Sequence, residues 1–261
     1  MSIKREIRRA FSTKEVKIAF LIYLIFYLFV SYSKKTSYVE DFPVLFTNLF
    51  FIDIKNNVNM QTFYFVLPLF CGIVGSDVFA KDVRSGMIKN ISSREPIRNI
   101  ILKKAIVSFL SAGFFVISVF VIDILLKMAI YPAVKPSFLG SYMTLNKTQY
   151  GYIFFYHPWL YVLIVLLINF CYSGLCGLLG FTVSLFTSKG LINKTFSFVL
   201  EFIKGNISGI ISVFIFNFSY IMSFVGNFNN SSIAMTIGMF SVTFIILNCI
   251  ILLRSRAYEL K

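Results

Sequence analysis

The feature that most constrains this chain is a series of apolar runs long enough to cross a lipid bilayer. Spanning a hydrocarbon core takes roughly 20 mostly apolar residues at 1.5 Å rise each. Residues 233–253 form such a run without a single charge. Residues 159–186 form a longer one, broken only by Asn169, cysteines and small side chains. Residues 105–122 are uncharged, as are 205–225, where Asn and Ser are scattered through the run. Two runs are shorter: 18–30, extended by Val16 and by Lys17, whose stem can snorkel, and 60–75, interrupted by Pro68. Of the 261 residues, 57% are hydrophobic and only 14% charged, whereas soluble domains carry about 25% charge. These runs predict an all-α polytopic membrane protein with six transmembrane helices in one transmembrane domain, 1–261. Run 18–30 has the basic leader and short core of a signal peptide; it is expected to be a membrane helix.

Charge placement sets the orientation. Lys4, Arg5, Arg8, Arg9, Lys14 and Lys17 precede the first span. Seven bases lie between the second and third spans: Lys81, Arg84, Lys89, Arg94, Arg98, Lys103 and Lys104. Lys189, Lys194 and Lys204 lie between the fourth and fifth, and Arg254, Arg256 and Lys261 follow the last. With six helices, these 19 of 25 bases fall on one side, which the positive-inside bias makes the cytoplasm. Both termini are therefore expected in the cytoplasm. The net charge of +14 is read as membrane topology, with the lipid bilayer as partner. No nucleic-acid-binding motif accompanies it.

The basic segment 76–104 has an internal pattern. Val83, Met87 and Ile91 recur at i, i+4, i+8 with Ile88 beside them, while Lys81, Asp82, Arg84, Ser85 and Lys89 fill the other faces. This predicts a short amphipathic helix over 81–91, a cytoplasmic coupling helix between spans two and three. Ser92 and Ser93 then break it, and Pro96 suits the first turn of the next helix. A loop that only reversed the chain could be far shorter, so a docking surface is favoured over a solvated basic loop. Residues 1–12 show a second amphipathic pattern, with Ile3, Ile7, Ala10 and Phe11 on one stripe and Lys4, Arg5, Arg8 and Arg9 off it. That suits a helix lying in the headgroup plane, as against a disordered basic tail. Ser12-x-x-Glu15 then resembles a capping box starting the first span.

Other polar residues within the apolar runs carry weaker expectations. Asn169 and Asn217 either bond neighbouring helices or line a pathway. Gly174 and Gly177, with Ser173 and Gly180, form a small-residue strip suited to close helix packing. Asp123 and Lys127, four apart, pair on one face and are expected to snorkel outward. Glu201 and Lys204, three apart, either pair at the membrane edge or stand within the membrane as a functional candidate. Residues 127–158, rich in Tyr, Phe and Pro, form an outer loop lying partly on the membrane. The only histidine, His157, sits beside Pro158 and is expected to be structural. Cys71, Cys171, Cys176 and Cys249 form no C-x-x-C pair and are expected to be buried thiols; no metal site is expected.

The run Asp82-x-x-x-Gly86-x-x-Lys89, followed by Ser93-Arg94 and Lys103, resembles the segment between the second and third helices of ABC-2 type transporter permeases. The start of the chain and the passage from the fourth span into TSKGLINK resemble the same family. Asp82 stands where that family often has Glu, and Pro96 follows closely on the Ser-Arg pair. The resemblance implies a permease subunit of a bacterial ABC exporter in the cytoplasmic membrane. It implies that a separate cytoplasmic P-loop ATPase, with its ATP and Mg, docks on the helix at 81–91 through Lys81, Asp82, Val83, Arg84, Gly86, Met87, Ile88, Lys89, Ile91 and Arg94. It also implies a second permease chain, identical or paralogous, and cargo such as a peptide, lipid or drug, including export of or immunity to antimicrobial peptides. The chain has no G-x-x-x-x-G-K-[ST] loop, so hydrolysis is expected in the partner and no cofactor in this chain.

Other function classes remain in play. A membrane-embedded enzyme would need paired carboxylates, several histidines or a nucleophile–base pair, and no such motif stands in the sequence. A secondary transporter or channel would show internal repeats and broken helices near the midplane; Pro68 is the one hint. A non-transporting receptor or immunity protein would bind cargo without ATP.

Overall fold

The computed structural model describes residues 3–32, 58–93, 95–130, 153, 156–187, 189–211 and 233–259. Among them there is no strand, and the elements are helices throughout. In chain order these are α1 (Ile3–Ser12), α2 (Lys14–Tyr32), α3 (Val58–Gly75), α4 (Asp77–Arg84), α5 (Met87–Ser92), α6 (Ile97–Ile130), α7 (Pro158–Ser184), α8 (Gly190–Ile211) and α9 (Ile233–Glu259). Four stretches are long and apolar enough to cross a membrane: Phe63–Arg84, which runs from α3 into α4, and Ile97–Ile130, Pro158–Ser184 and Ile237–Arg256 in α6, α7 and α9. The chain is thus a helical protein with multi-pass membrane character. The expected run at 18–30 falls within α2. The fifth helix, α8, starts at Gly190, well before the apolar run at 205, so Lys194 and Lys204 belong to a helix rather than a connection. Asn217 and most of the loop at 127–158 lie outside the described residues. Lys127 itself belongs to α6, which continues to Ile130.

The bundle is built around α6 and α7, which pack along each other, with α3 set against both and against α2 and α8. Close approach is made possible by missing side chains. A Cβ on Gly75 of α3 would lie 2.7 Å from the Gly177 Cα of α7, and one on Gly177 would lie 2.5 Å from the Ala112 Cβ of α6. Ser108 of α6 donates a hydrogen bond to the Gly177 carbonyl at 3.0 Å. A Cβ on Gly174 would meet the Phe109 ring at 2.6 Å. The expected small-residue strip is therefore a packing surface. Gly72 extends it, because a Cβ there would run into the Lys194 carbonyl of α8.

Pro68 sits inside α3 without ending it, so the hint of a broken helix is not realised. Around it the core is aromatic: Tyr23, Tyr27, Phe63, Phe115 and Phe120 interlock, with Tyr23 stacked on Phe63 at 5.0 Å and Tyr27 edge-on to Phe120 at 5.2 Å. A second apolar cluster, around Phe79, Ile101, Phe181 and Ile251, underlies α4. His157 occupies the position before α7, where its N–H donates to the Ile153 carbonyl at 2.8 Å and Pro158 opens the helix. Cys71 and Cys176 are buried, Cys171 is half-buried, and Cys249 is exposed on α9. The expectation of four buried thiols fails at Cys249 because α9 presents much of its surface outward.

Candidate functional site

The segment predicted as one helix over 81–91 is two helices with a turn between them. Ser85 and Gly86 end α4: the Ser85 N–H donates to the Lys81 carbonyl at 2.9 Å and the Gly86 N–H to the Val83 carbonyl at 3.2 Å. Gly86 adopts φ 70°, the left-handed conformation that glycine takes up without a Cβ penalty and that commonly closes a helix. The i, i+4 pattern gave no sign of the break because glycine contributes neither apolar nor polar character to it. Lys89 lies in α5, and Arg94 lies outside the described residues.

The faces of these helices differ sharply. Val83 and Met87 are 41% and 43% exposed, and Arg84, Ser85 and Gly86 are exposed with them, whereas Ile88 and Ile91 are half-buried. Arg84 folds back so that its Nε donates to the Ala80 carbonyl at 3.2 Å. Asp82, expected among the docking residues, points the other way and is fully buried. Its geometry makes it an anchor of the surface, because an exposed partner cannot reach its carboxylate.

Asp82 is held from two sides. The Arg9 guanidinium of α1 lies 2.7 Å from its Oδ1, and the Lys104 Nζ of α6 donates to its Oδ2. Glu6 of α1 completes the cluster, 3.5 Å from Lys104 and 3.9 Å from Arg9. Lys104 has no solvent exposure. An ammonium buried this way is tolerated only with close opposite charge and hydrogen bonds to it; Asp82 and Glu6 supply them. α1 therefore docks on the bundle through Glu6 and Arg9, while Lys4, Arg5 and Arg8 remain exposed.

The next residue, Lys81, belongs to a second and more open ion system. Its Nζ lies 3.5 Å from Glu15 at the start of α2, and Lys194 of α8 donates to the same carboxylate at 2.7 Å. The Lys194 hydrogen bond, reinforced by Lys81, holds the Glu15 carboxyl below its ordinary range. Glu15 is thus engaged with α4 and α8 and does not complete the expected capping box; Ser12 instead donates back to the Arg9 carbonyl at 2.9 Å. Apolar contacts fix α4 from beneath, with Phe79 edge-on to Phe181 of α7 and to Tyr258 of α9, each at 6.1 Å. A short helix touching α1, α2, α6, α7, α8 and α9 is a structural hub.

Searches against protein-family profiles, curated proteins and solved structures find no match to this chain. The site's own geometry therefore carries the functional reading. Glu6, Arg9, Lys104, Glu15 and Lys194 were not among the sequence-derived site residues. Apart from the Glu6–Arg9 contact within α1, their partners lie 22 to 179 positions away, beyond the reach of helical periodicity. The one available signal was Asp82 itself, an acid set among seven bases.

Two further ion pairs lie in the bundle. Asp123 and Lys127 pair at 2.7 Å as expected, but both are buried and the Tyr27 hydroxyl donates to Asp123 at 3.0 Å. The pair faces the core and does not snorkel outward. Glu201, also buried, pairs with Lys204 at 3.1 Å three turns into α8. Asn169 is buried in α7, and its Nδ2 donates to the Val165 carbonyl at 2.9 Å. Among the described residues no three His, Cys, Asp or Glu side chains converge to hold a metal ion.

Proposed function

We propose that this chain is the permease subunit of an ATP-driven exporter of the ABC-2 type. In this reading it spans the bacterial cytoplasmic membrane six times with both termini in the cytoplasm. It works beside a second permease chain and moves a hydrophobic or amphipathic peptide, lipid or drug outward. The energy comes from a separate P-loop ATPase that binds ATP and Mg. The observation that carries the reading is the exposure of Val83 and Met87 beside Arg84, on short helices whose neighbour Asp82 is pinned by buried charge. Apolar atoms on a rigid base at the basic end of a bundle suit docking by a partner that must transmit force. A merely solvated loop needs neither the apolar face nor the anchor. The test is purification of the chain from its native membrane and detection of a P-loop ATPase that co-purifies with it. Val83→Asp with Met87→Asp, at exposed positions, is expected to abolish co-purification and stimulated ATP hydrolysis while leaving the chain folded. Unchanged assembly and hydrolysis would remove the docking role.

One alternative has an observation of its own. Buried ionisable groups within membrane helices often mark ion or proton pathways, and Asp123 with Lys127 and Tyr27 fits a secondary transporter. Substrate movement in proteoliposomes of the chain alone, driven by a pH gradient and lost in Asp123→Asn, would favour it.

A further inference from the structure

The outward face of α2 changes chemistry at one point. Val16, Ala19, Tyr23 and Tyr27 turn inward to the core. On the opposite side a single stripe runs Lys14, Lys17, Ile18, Leu21, Ile22, Ile25 and Phe29, at the i, i+3, i+4 spacing that keeps residues on one helix face. Its five apolar members are each more than half exposed, and both lysines are exposed. From Ile18 to Phe29 a helix rises roughly 16 Å, close to half of a hydrocarbon core about 30 Å thick. The stripe is therefore one leaflet deep and capped by two cations at headgroup height.

The acids that would cancel this charge are engaged elsewhere. Glu6 is turned in against Lys104, and Glu15 is taken by Lys194 and Lys81. Lys4, Arg5 and Arg8 lie on the outward face of α1, which only Thr13 separates from α2. We propose that this face is a binding site for an anionic phospholipid. The acyl chain lies along the apolar stripe and the phosphate sits against Lys14 and Lys17, with the three bases of α1 adding to the field. A zwitterionic lipid would cover the same stripe but offer no net charge to the lysines. The inference does not depend on the transport reading.

Native mass spectrometry of the detergent-purified chain, titrated with phosphatidylglycerol or phosphatidylcholine, tests it. A base near a membrane surface contributes about fivefold in affinity for anionic lipid. Wild type is expected to prefer phosphatidylglycerol by tenfold or more. Lys14→Gln with Lys17→Gln is expected to reduce the preference below threefold, while Lys14→Arg with Lys17→Arg retains it. Circular dichroism and melting temperature, expected to be unchanged at these exposed positions, show that all forms are folded. Equal affinity for the two lipids in wild type, or an undiminished preference in the glutamine variant, would overturn the proposal. So would displacement of the lipid by millimolar inorganic phosphate, which would make this a free-anion site. Occupation of the stripe by a second copy of the chain, seen as a dimer that excludes lipid, would also overturn it.

Discussion

The Asp82 cluster makes a sharp energetic prediction. Converting Asp82 to Asn removes the charge nearest to Lys104, whose ammonium has no solvent exposure. Breaking a buried pair by deleting one partner costs about 3–5 kcal/mol. Glu6 remains 3.5 Å from Lys104, so the lower end, about 3 kcal/mol, is expected. Lys104→Met removes the other partner, and Asp82 keeps Arg9 at 2.7 Å. That variant should cost no more, because the half-exposed guanidinium still neutralises the carboxylate. The double variant leaves neither charge buried alone, and its cost should approach that of one single change. The coupling energy between the two sites then equals the cost of the other single change, up to about 3 kcal/mol, well above the few tenths expected of sites that do not touch. Equilibrium unfolding in mixed micelles, read by circular dichroism for the four proteins, measures it. Additive costs within about 0.5 kcal/mol would refute the buried pair and with it the anchoring of α4 to α6.

Three further outcomes follow from the same structure. Gly177→Ala places a methyl 2.5 Å from the Ala112 Cβ and 3.0 Å from the Ser108 carbonyl and should destabilise by about 1–3 kcal/mol; Gly86→Ala meets open space and should cost only about 1 kcal/mol of left-handed strain, so thermal melts should rank the two in that order. Tyr27→Phe deletes the hydrogen bond to buried Asp123 and should cost about 1–3 kcal/mol in the same unfolding assay, with no loss if the hydroxyl is idle. The Lys103 hydrogen bond lowers the Glu95 carboxyl from its ordinary 4.5 to about 2. A lowered carboxyl stabilises the fold above its unfolded value, and that contribution disappears as pH falls through about 2. Carbon-13 NMR titration of Glu95 should therefore show its midpoint near 2, moving toward 4.5 in Lys103→Met.

Much of the architecture could be read from the residues because lipid imposes length and uniform apolarity on a spanning helix. The runs at 105–122 and 233–253 fall within long helices, the run at 159–186 overruns the end of α7 by only two residues, and the strip of Gly174 and Gly177 packs as small residues should. Misreadings arose where tertiary contacts outweigh local pattern. The apolar run at 205 concealed a helix starting at Gly190, whose polar first turns are covered by α3 across Gly72. Gly86 split a helix that hydropathy drew as continuous. The family resemblance implies Asp82 among the docking residues, yet its direction is decided by Arg9 and Lys104, far along the chain. Asp123 and Lys127 were paired correctly by spacing, but their burial depends on Tyr27 from another helix.

A cytoplasmic ATPase can dock on the α4–α5 surface only if that surface lies on the cytoplasmic side of the membrane. A cysteine at Met87, in a Cys171→Ser, Cys249→Ser background that leaves only the buried Cys71 and Cys176, can be probed with a membrane-impermeant maleimide in intact cells and in inverted vesicles. No labelling in intact cells and full labelling in inverted vesicles is the expected result. Labelling of Met87→Cys in intact cells would put the surface outside, beyond reach of any cytoplasmic ATPase, and contradict the account.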